Sequence, residues 1–281
     1  MSFINSILDI AGLLLWLSWR SIPFDPVVRA TPATLAGTVR RAEPSKLRRW
    51  HFLLVLSGLL LVRALFYWGV DWTSSLDFGV VAPSFRGDTL ATALLFSLLS
   101  FARTWMIFHF WLLALAMING RSAEGNPLHK LVLLQLGSVG RWPLALQAIL
   151  PVIVVTAVWM PIQPLLALAD VVKHSHSVWR VLGQGALLGG VLFLTLKSIL
   201  PAFLFVHVIS SYVYLGSNRV WDYIGLTSRR MLLPLERLPL RSGRVDFTPV
   251  VGIVLILLLL QVLPGVLAAQ LARRNLTLWP Q

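Results

Sequence analysis

The sequence predicts an all-α integral membrane protein, with six transmembrane helices arranged as three helical hairpins. Three observations predict it. Of the 281 residues, 57% are hydrophobic and only 12% carry charge, about half the charge of a soluble domain. Six apolar runs, at 3–19, 51–70, 90–118, 144–168, 181–215 and 247–272, have the length that a bilayer core of about 30 Å demands. The segments between those runs alternate between strongly and weakly basic.

The first run, in "MSFINSILDIAGLLLWLSWR", has no Lys or Arg before Arg20. A signal peptide places its positive charges ahead of the apolar run, so this segment reads as a retained span whose basic flank follows it. Every run is expected to be helical, because lipid offers no water to satisfy an open backbone. The runs 90–118 and 181–215 are longer than a span needs, which predicts tilt, kinks or ends beyond the core. Pro151, Pro161, Pro164, Pro201 and Pro264 are the expected kink or end points. There is no cysteine, so disulfides, thiolate-bound zinc, iron–sulfur clusters and a cysteine nucleophile are excluded.

The connections set the orientation. Loop 20–50 carries seven Lys and Arg, loop 119–143 carries three and loop 216–246 carries six, against five in the other connections and tail. Basic loops stay in the cytoplasm, so the three long loops are expected inside and both termini outside. The predicted hairpins are 1–70, 90–168 and 181–272, followed by a tail, 273–281. The net charge of +13 is explained by the same bias. Nucleic-acid binding draws on such charge too, but nothing resembling a reader module accompanies it, and no nucleic-acid partner is expected.

The three basic loops open alike: "FDPVVR" at 24–29, "GNPLHK" at 125–130 and "SNRVWD" at 217–222. Asp25, Asn126 and Asn218 suit helix N-caps, and Pro26 and Pro127 suit the first helical position. Leu128, Leu131, Val132, Leu136 and Val139 share one helical face, as do Val220, Tyr223, Ile224, Thr227 and Met231. Two readings stand: short amphipathic helices lying in the interface with their cations among headgroups, or ordinary loops pinned to the surface. Under the first reading Arg219, Arg229, Arg230, Arg237, Arg241 and Arg244 contact anionic lipid of the bilayer, or another membrane protein.

Just before the last run stands "GRVDFTPVVG", 243–252. Gly243 permits a turn, Asp246 or Thr248 caps the last helix and Pro249 fits its first turn. The wider stretch "LTSRRMLLPLERLPLRSGRVDFTPVVGIVLILLLLQVL", 226–263, resembles the YggT family of small bacterial and plastid membrane proteins. Thr227, Pro234, Arg237, Pro239, Gly243, Asp246, Thr248 and Pro249 carry the likeness, and "LSWRSIPFDPVVR", 17–29, echoes it in the first hairpin. The resemblance implies a non-enzymatic, multi-pass protein of a bacterial inner membrane. It also points to roles such as cytochrome assembly, septum organisation or osmotic and ion homeostasis.

Arg63, Arg103, His109, Lys197 and His207 fall inside apolar runs. An ionisable group at that depth costs at least ~2.5 kcal/mol on insertion scales. Either they form a polar cluster between hairpins, as along an ion path, or they snorkel to the nearer interface. Asp9 is the one acid inside a run that offers an obvious partner. His109 and His207 pose the question of haem ligation, but a hydrogen bond to a neighbouring helix is the commoner use. "KHSHS" at 173–177 supplies two ligands where a metal wants three or four. Trp16, Trp19, Trp50, Trp68, Trp72, Trp142, Trp179 and Trp221 stand near span ends, where interface anchoring accounts for them.

No nucleophile–base pair, phosphate loop or paired carboxylates stand out, so neither an enzyme nor a cofactor is expected. The favoured function is a non-catalytic scaffold, assembly factor or accessory subunit of a larger membrane complex. The alternative is a channel or transporter component for ion or osmotic homeostasis.

Overall fold

The computed structural model describes residues 2–21, 49–70, 73–76, 84–120, 125–169, 171–172, 177–213, 216, 218–235, 241–242, 245–246 and 248–273. Asp25, Pro26, the pair His174 and His176, and Arg237, Gly243 and Arg244 lie outside them. Among the described residues five helical stretches are long and apolar enough to cross a membrane: Phe3–Arg20, Trp50–Gly69, Leu90–Asn119, Leu144–Leu168 and Val178–Ser210. The chain is a multi-span, all-helical membrane protein. The sixth apolar run also forms a helix, Thr248–Arg273.

The chain divides into two compact units, the first of residues 1–76 and 84–106, the second of 77–83 and 107–281. In the first, α1 (Ser2–Ser21) packs along α2 (Arg49–Gly69). A two-stranded antiparallel ribbon follows, β1 (Thr73–Ser75) with β2 (Ser84–Arg86), pairing Ser74 with Phe85. The helix α3 (Leu90–Asn119) then begins in this unit and ends in the second. Gly12 permits a close approach: a Cβ there would lie 3.0 Å from the Phe101 ring.

The second unit continues with α4 (Pro127–Leu136), a 3-10 turn at Gly137–Arg141 and α5 (Leu144–Leu168). One stripe of α5 is buried at near four-residue intervals: Gln147, Pro151, Val155, Trp159, Gln163 and Leu166, the period of a single helical face. It packs against α6 (Val178–Val191). Gly185 and Gly189 make the approach possible, since a Cβ would fall 2.7 Å from the Thr156 Cα and 2.6 Å from the Val152 Cα. This is the small-xxx-small contact of membrane helices, where dispersion between close backbones replaces the hydrophobic effect. Trp159 Nε1 adds a 3.3 Å hydrogen bond to Gln184 Oε1 across it.

The run 181–215 is interrupted. After α6 comes a 3-10 segment, Leu192–Thr195, and then α7 (Leu196–Tyr212). Trp111 Nε1 donates to Thr195 Oγ1 at 3.0 Å, and Phe110 meets Phe193 edge-on at 4.9 Å. Of the expected kink or end points, Pro151, Pro161 and Pro164 lie within α5 and Pro201 within α7, so these four are not helix ends. Membrane helices tolerate proline where neighbours satisfy the freed carbonyls. The chain finishes with α8 (Arg219–Leu232), a ribbon of β3 (Arg241–Ser242) and β4 (Val245–Asp246), and α9 (Thr248–Arg273). α9 packs on α7, and Gly252 admits Leu232 to within 2.7 Å of where its Cβ would stand.

Candidate functional site

Two polar constructions stand out, one in each unit. In the first, Arg63 of α2 is 3% exposed and Asp9 of α1 is 6% exposed. Arg63 Nη1 donates to Asp9 Oδ1 at 2.5 Å, Arg63 Nη2 to Ser100 Oγ at 2.9 Å, and the Ser100 hydroxyl to Asp9 Oδ2 at 2.7 Å. Three helix segments thus close one ring of hydrogen bonds. The guanidinium also faces the rings of Phe96 (5.4 Å) and Tyr67 (5.7 Å), a cation–π setting. Tyr67 Oη donates to Asn5 Oδ1. Arg63 therefore does not snorkel; it is paired inside the unit with Asp9. Its Nε is buried without a hydrogen-bond partner among the described residues.

The second construction is α8 and its surroundings. Asn218 caps the helix by accepting from the Val220 N–H at 3.1 Å, and Asn126 caps α4 in the same way from Leu128 at 2.9 Å, with Pro127 at the first position. Asp222 in the first turn and Arg229 and Arg230 in the last complement the helix dipole at both ends. One face is buried: Tyr223, Thr227, Ser228 and Leu232.

That face is fixed by hydrogen bonds. The Asn119 amide, wholly buried at the end of α3, donates to Tyr223 Oη (3.1 Å) and Thr227 Oγ1 (2.9 Å). Ser228 Oγ donates to the Phe203 carbonyl at 3.0 Å. Leu115, Ala116, Val132 and Tyr223 form the apolar core beside these bonds, and the buried His129 ring lies 6.3 Å from that of Tyr223. Burial pushes the Tyr223 phenol above its usual value, against the opposing pull of the Asn119 and Thr227 hydrogen bonds. It stays neutral at physiological pH, so this anchor does not titrate there.

With one face anchored, the other is presented. A pocket of about 700 Å³ lies against α8 and the end of α7, lined by Arg229, Arg230, His207, Trp221, Asp222 and Gly225 among others. Arg229 is exposed, whereas Arg230 and His207 are half-buried. The remaining sequence candidates are dispersed. Arg219 is exposed at the start of α8 and Lys197 at the start of α7, while Arg103 and His109 are half-buried on α3. His109 meets the Phe108 ring at 5.4 Å. Arg241 and Asp246 face each other in the β3–β4 register, two residues ahead of Thr248, which is buried, and Pro249 lies in the first turn of α9. Among the described residues no three His, Asp or Glu side chains gather into a metal-holding group.

Sequence reasoning missed Asn119, His129 and the Gly185–Gly189 contact. The glycine pair was visible as G-x-x-x-G inside an apolar run. Asn119 carried no such signal, because a polar residue closing a span usually marks only its end. Comparison with protein-family models, with curated proteins and with solved structures finds no match.

Proposed function

We propose that this protein is a non-catalytic membrane scaffold or assembly factor, and that α8 with its basic pocket is the working surface. The supporting observation is the division of labour on α8. Four side chains on one face are held by Asn119, Phe203 and the adjoining core, while Arg229 and Arg230 line a pocket on another. A helix so fixed presents its cations at constant angles, which suits recognition of anionic lipid or of an acidic partner surface.

The proposal includes the topology. Six spans form three hairpins in a bacterial plasma membrane, with basic loops inside and both termini outside. The likeness to the YggT family, carried by the sequence from Thr227 to Pro249, agrees with a non-enzymatic role. Because the chain has no native cysteine, single cysteines report sidedness directly. A membrane-impermeant maleimide applied outside should label Ser177→Cys and not Ser138→Cys; the reverse result excludes the topology.

The test of function is purification in mild detergent with identification of co-eluting protein. Replacing Arg229, Arg230 and Arg237 by Gln should reduce co-elution while membrane insertion stays normal. A channel component behaves otherwise: the purified protein alone carries ion flux in liposomes, abolished by neutralising Arg103 or Lys197. That outcome overturns the scaffold.

A further inference from the structure

The pocket on α8 has a polarity that a plain basic patch lacks. Asp222, Gly225 and Arg229 recur along one strip of the helix at three- and four-residue steps, the spacing of a single face. The acid and the first arginine are thus about 10.5 Å apart along the axis. Between them Gly225 leaves a gap, for a Cβ placed there meets nothing within 4 Å. Arg230 joins the cationic end, His207 and Ser210 of α7 stand on the other side, and Leu226 and Leu233 supply apolar wall. Two guanidiniums against one carboxylate leave one positive charge to be balanced.

We propose that this pocket binds one glycerophospholipid bearing a single negative charge and a hydroxyl-bearing headgroup, of the phosphatidylglycerol type. The phosphodiester lies at Arg229 and Arg230, whose guanidiniums donate paired, charge-assisted hydrogen bonds to its oxygens. The headgroup runs through the gap at Gly225, and its terminal hydroxyl donates to the Asp222 carboxylate. The acyl chains leave along Leu226 and Leu233. The choice follows from charge and donors. Phosphatidylethanolamine leaves the positive charge unbalanced. Phosphatidylcholine brings no donor for Asp222, and phosphatidic acid has no headgroup to span the gap. The inference rests on the reading of α8 as a membrane-surface helix and names the ligand of that same site.

The test is native mass spectrometry of the full chain in mild detergent, with the four lipids supplied at equal concentration and with identical acyl chains. Phosphatidylglycerol should be retained about tenfold over phosphatidylcholine and phosphatidylethanolamine, the scale of one or two good polar contacts. Arg229→Gln with Arg230→Gln should lower its retention about tenfold or more. Gly225→Leu should lower it as much by filling the gap, with every charge left in place. If Gly225→Leu fails to fold by circular dichroism and size exclusion, Leu226→Trp fills the gap from the next position. Asp222→Asn should narrow the preference for phosphatidylglycerol over phosphatidic acid.

Equal retention of all four lipids overturns the proposal. So does loss in the arginine variants with full retention in the filled ones, which means diffuse surface charge. Displacement by glycerophosphoglycerol without acyl chains, at equal concentration, identifies a free phosphodiester and overturns the lipid assignment. The scaffold reading is separable: a partner that co-elutes from protein without phosphatidylglycerol refutes the lipid site alone. Tight lipid binding with no partner under any condition refutes the scaffold alone.

Discussion

Arg63 and the pair Arg229/Arg230 carry the same guanidinium and are put to opposite uses. Arg63 is buried, bonded to Asp9 and Ser100 and covered by two aromatic rings. Nothing charged is left for a ligand. Arg229 and Arg230 stand in the last turn of a helix that its neighbours hold by other residues, and they line an open pocket. The difference lies in what the fold needs from each. A buried arginine without its carboxylate is an uncompensated charge in an apolar interior, so Asp9 and Arg63 constrain each other. Among the described residues the α8 arginines have no such partner. In this chain basic residues divide into those that hold the structure and those that it presents.

The sharpest way to break that division is to remove Asp9. Asp9→Ala leaves Arg63 buried with Ser100 as its one remaining hydrogen-bond partner among the described residues, and stability should fall by about 3–5 kcal/mol. Unfolding in mixed detergent and SDS micelles measures it. The double variant Asp9→Ala/Arg63→Met should recover most of that loss, because a buried pair replaced by apolar side chains is often neutral. If the double variant is as unstable as the single one, packing rather than charge fixes the site.

A smaller loss separates close packing from charge. Gly189→Val puts a branched side chain where Val152 Cα stands 2.6 Å from the Cβ position, so α5 and α6 must move apart at a cost of about 1–3 kcal/mol. Gly58→Ala is the control, since nothing lies within 4 Å of its Cβ position. A helix gains up to ~1 kcal/mol from that exchange. Equal effects of the two substitutions would show that backbone approach at Gly189 contributes nothing.

What the sequence made legible follows from how far apart the interacting groups are. The caps at Asn126 and Asn218 were readable because a cap reaches only two residues ahead. The apolar runs, five of which are membrane-length helices among the described residues, were readable because length and composition suffice. Arg63 and Asp9 are separated by 54 residues; composition marked each as costly, but only the fold of α1 on α2 joins them. The pocket was half legible. Arg229 and Arg230 announced themselves by charge, whereas His207 was expected deep in a span and joins them because α7 ends beside α8. The 3-10 break at Leu192–Thr195 had no proline to mark it. The short β3–β4 ribbon occupies a string that reads as a simple turn and cap.

The caps give the next prediction. Asn218→Ala and Asn126→Ala each remove one acceptor from an orphan backbone N–H, at about 1 kcal/mol apiece. The two should differ in consequence. α8 remains anchored through Tyr223, Thr227 and Ser228, so loss of its cap should fray the first turn around Asp222 and spare Arg229 and Arg230. Hydrogen exchange should show faster opening at Val220 and unchanged protection near Ser228. Protection lost along the whole helix would mean that the cap, and not the buried face, holds α8 in place.

The smallest expected effect on stability comes from the arginines themselves. Arg229→Gln with Arg230→Gln removes two cations near a helix C-terminus, where each contributes about 0.3–1 kcal/mol through the dipole when exposed and unscreened. At physiological ionic strength most of that is screened, since the Debye length is about 8 Å. Gln keeps helix propensity close to that of Arg and retains a donor for the last carbonyls. Unfolding should therefore shift by no more than about 0.5 kcal/mol, against the several expected at Asp9. The same variant carries the largest expected loss of lipid and partner. A large effect on binding beside a negligible one on folding is what presented side chains should give. Were the double glutamine variant to unfold as readily as Asp9→Ala, Arg229 and Arg230 would belong with Arg63 among the residues that hold the structure. The pocket beside them would then need another explanation.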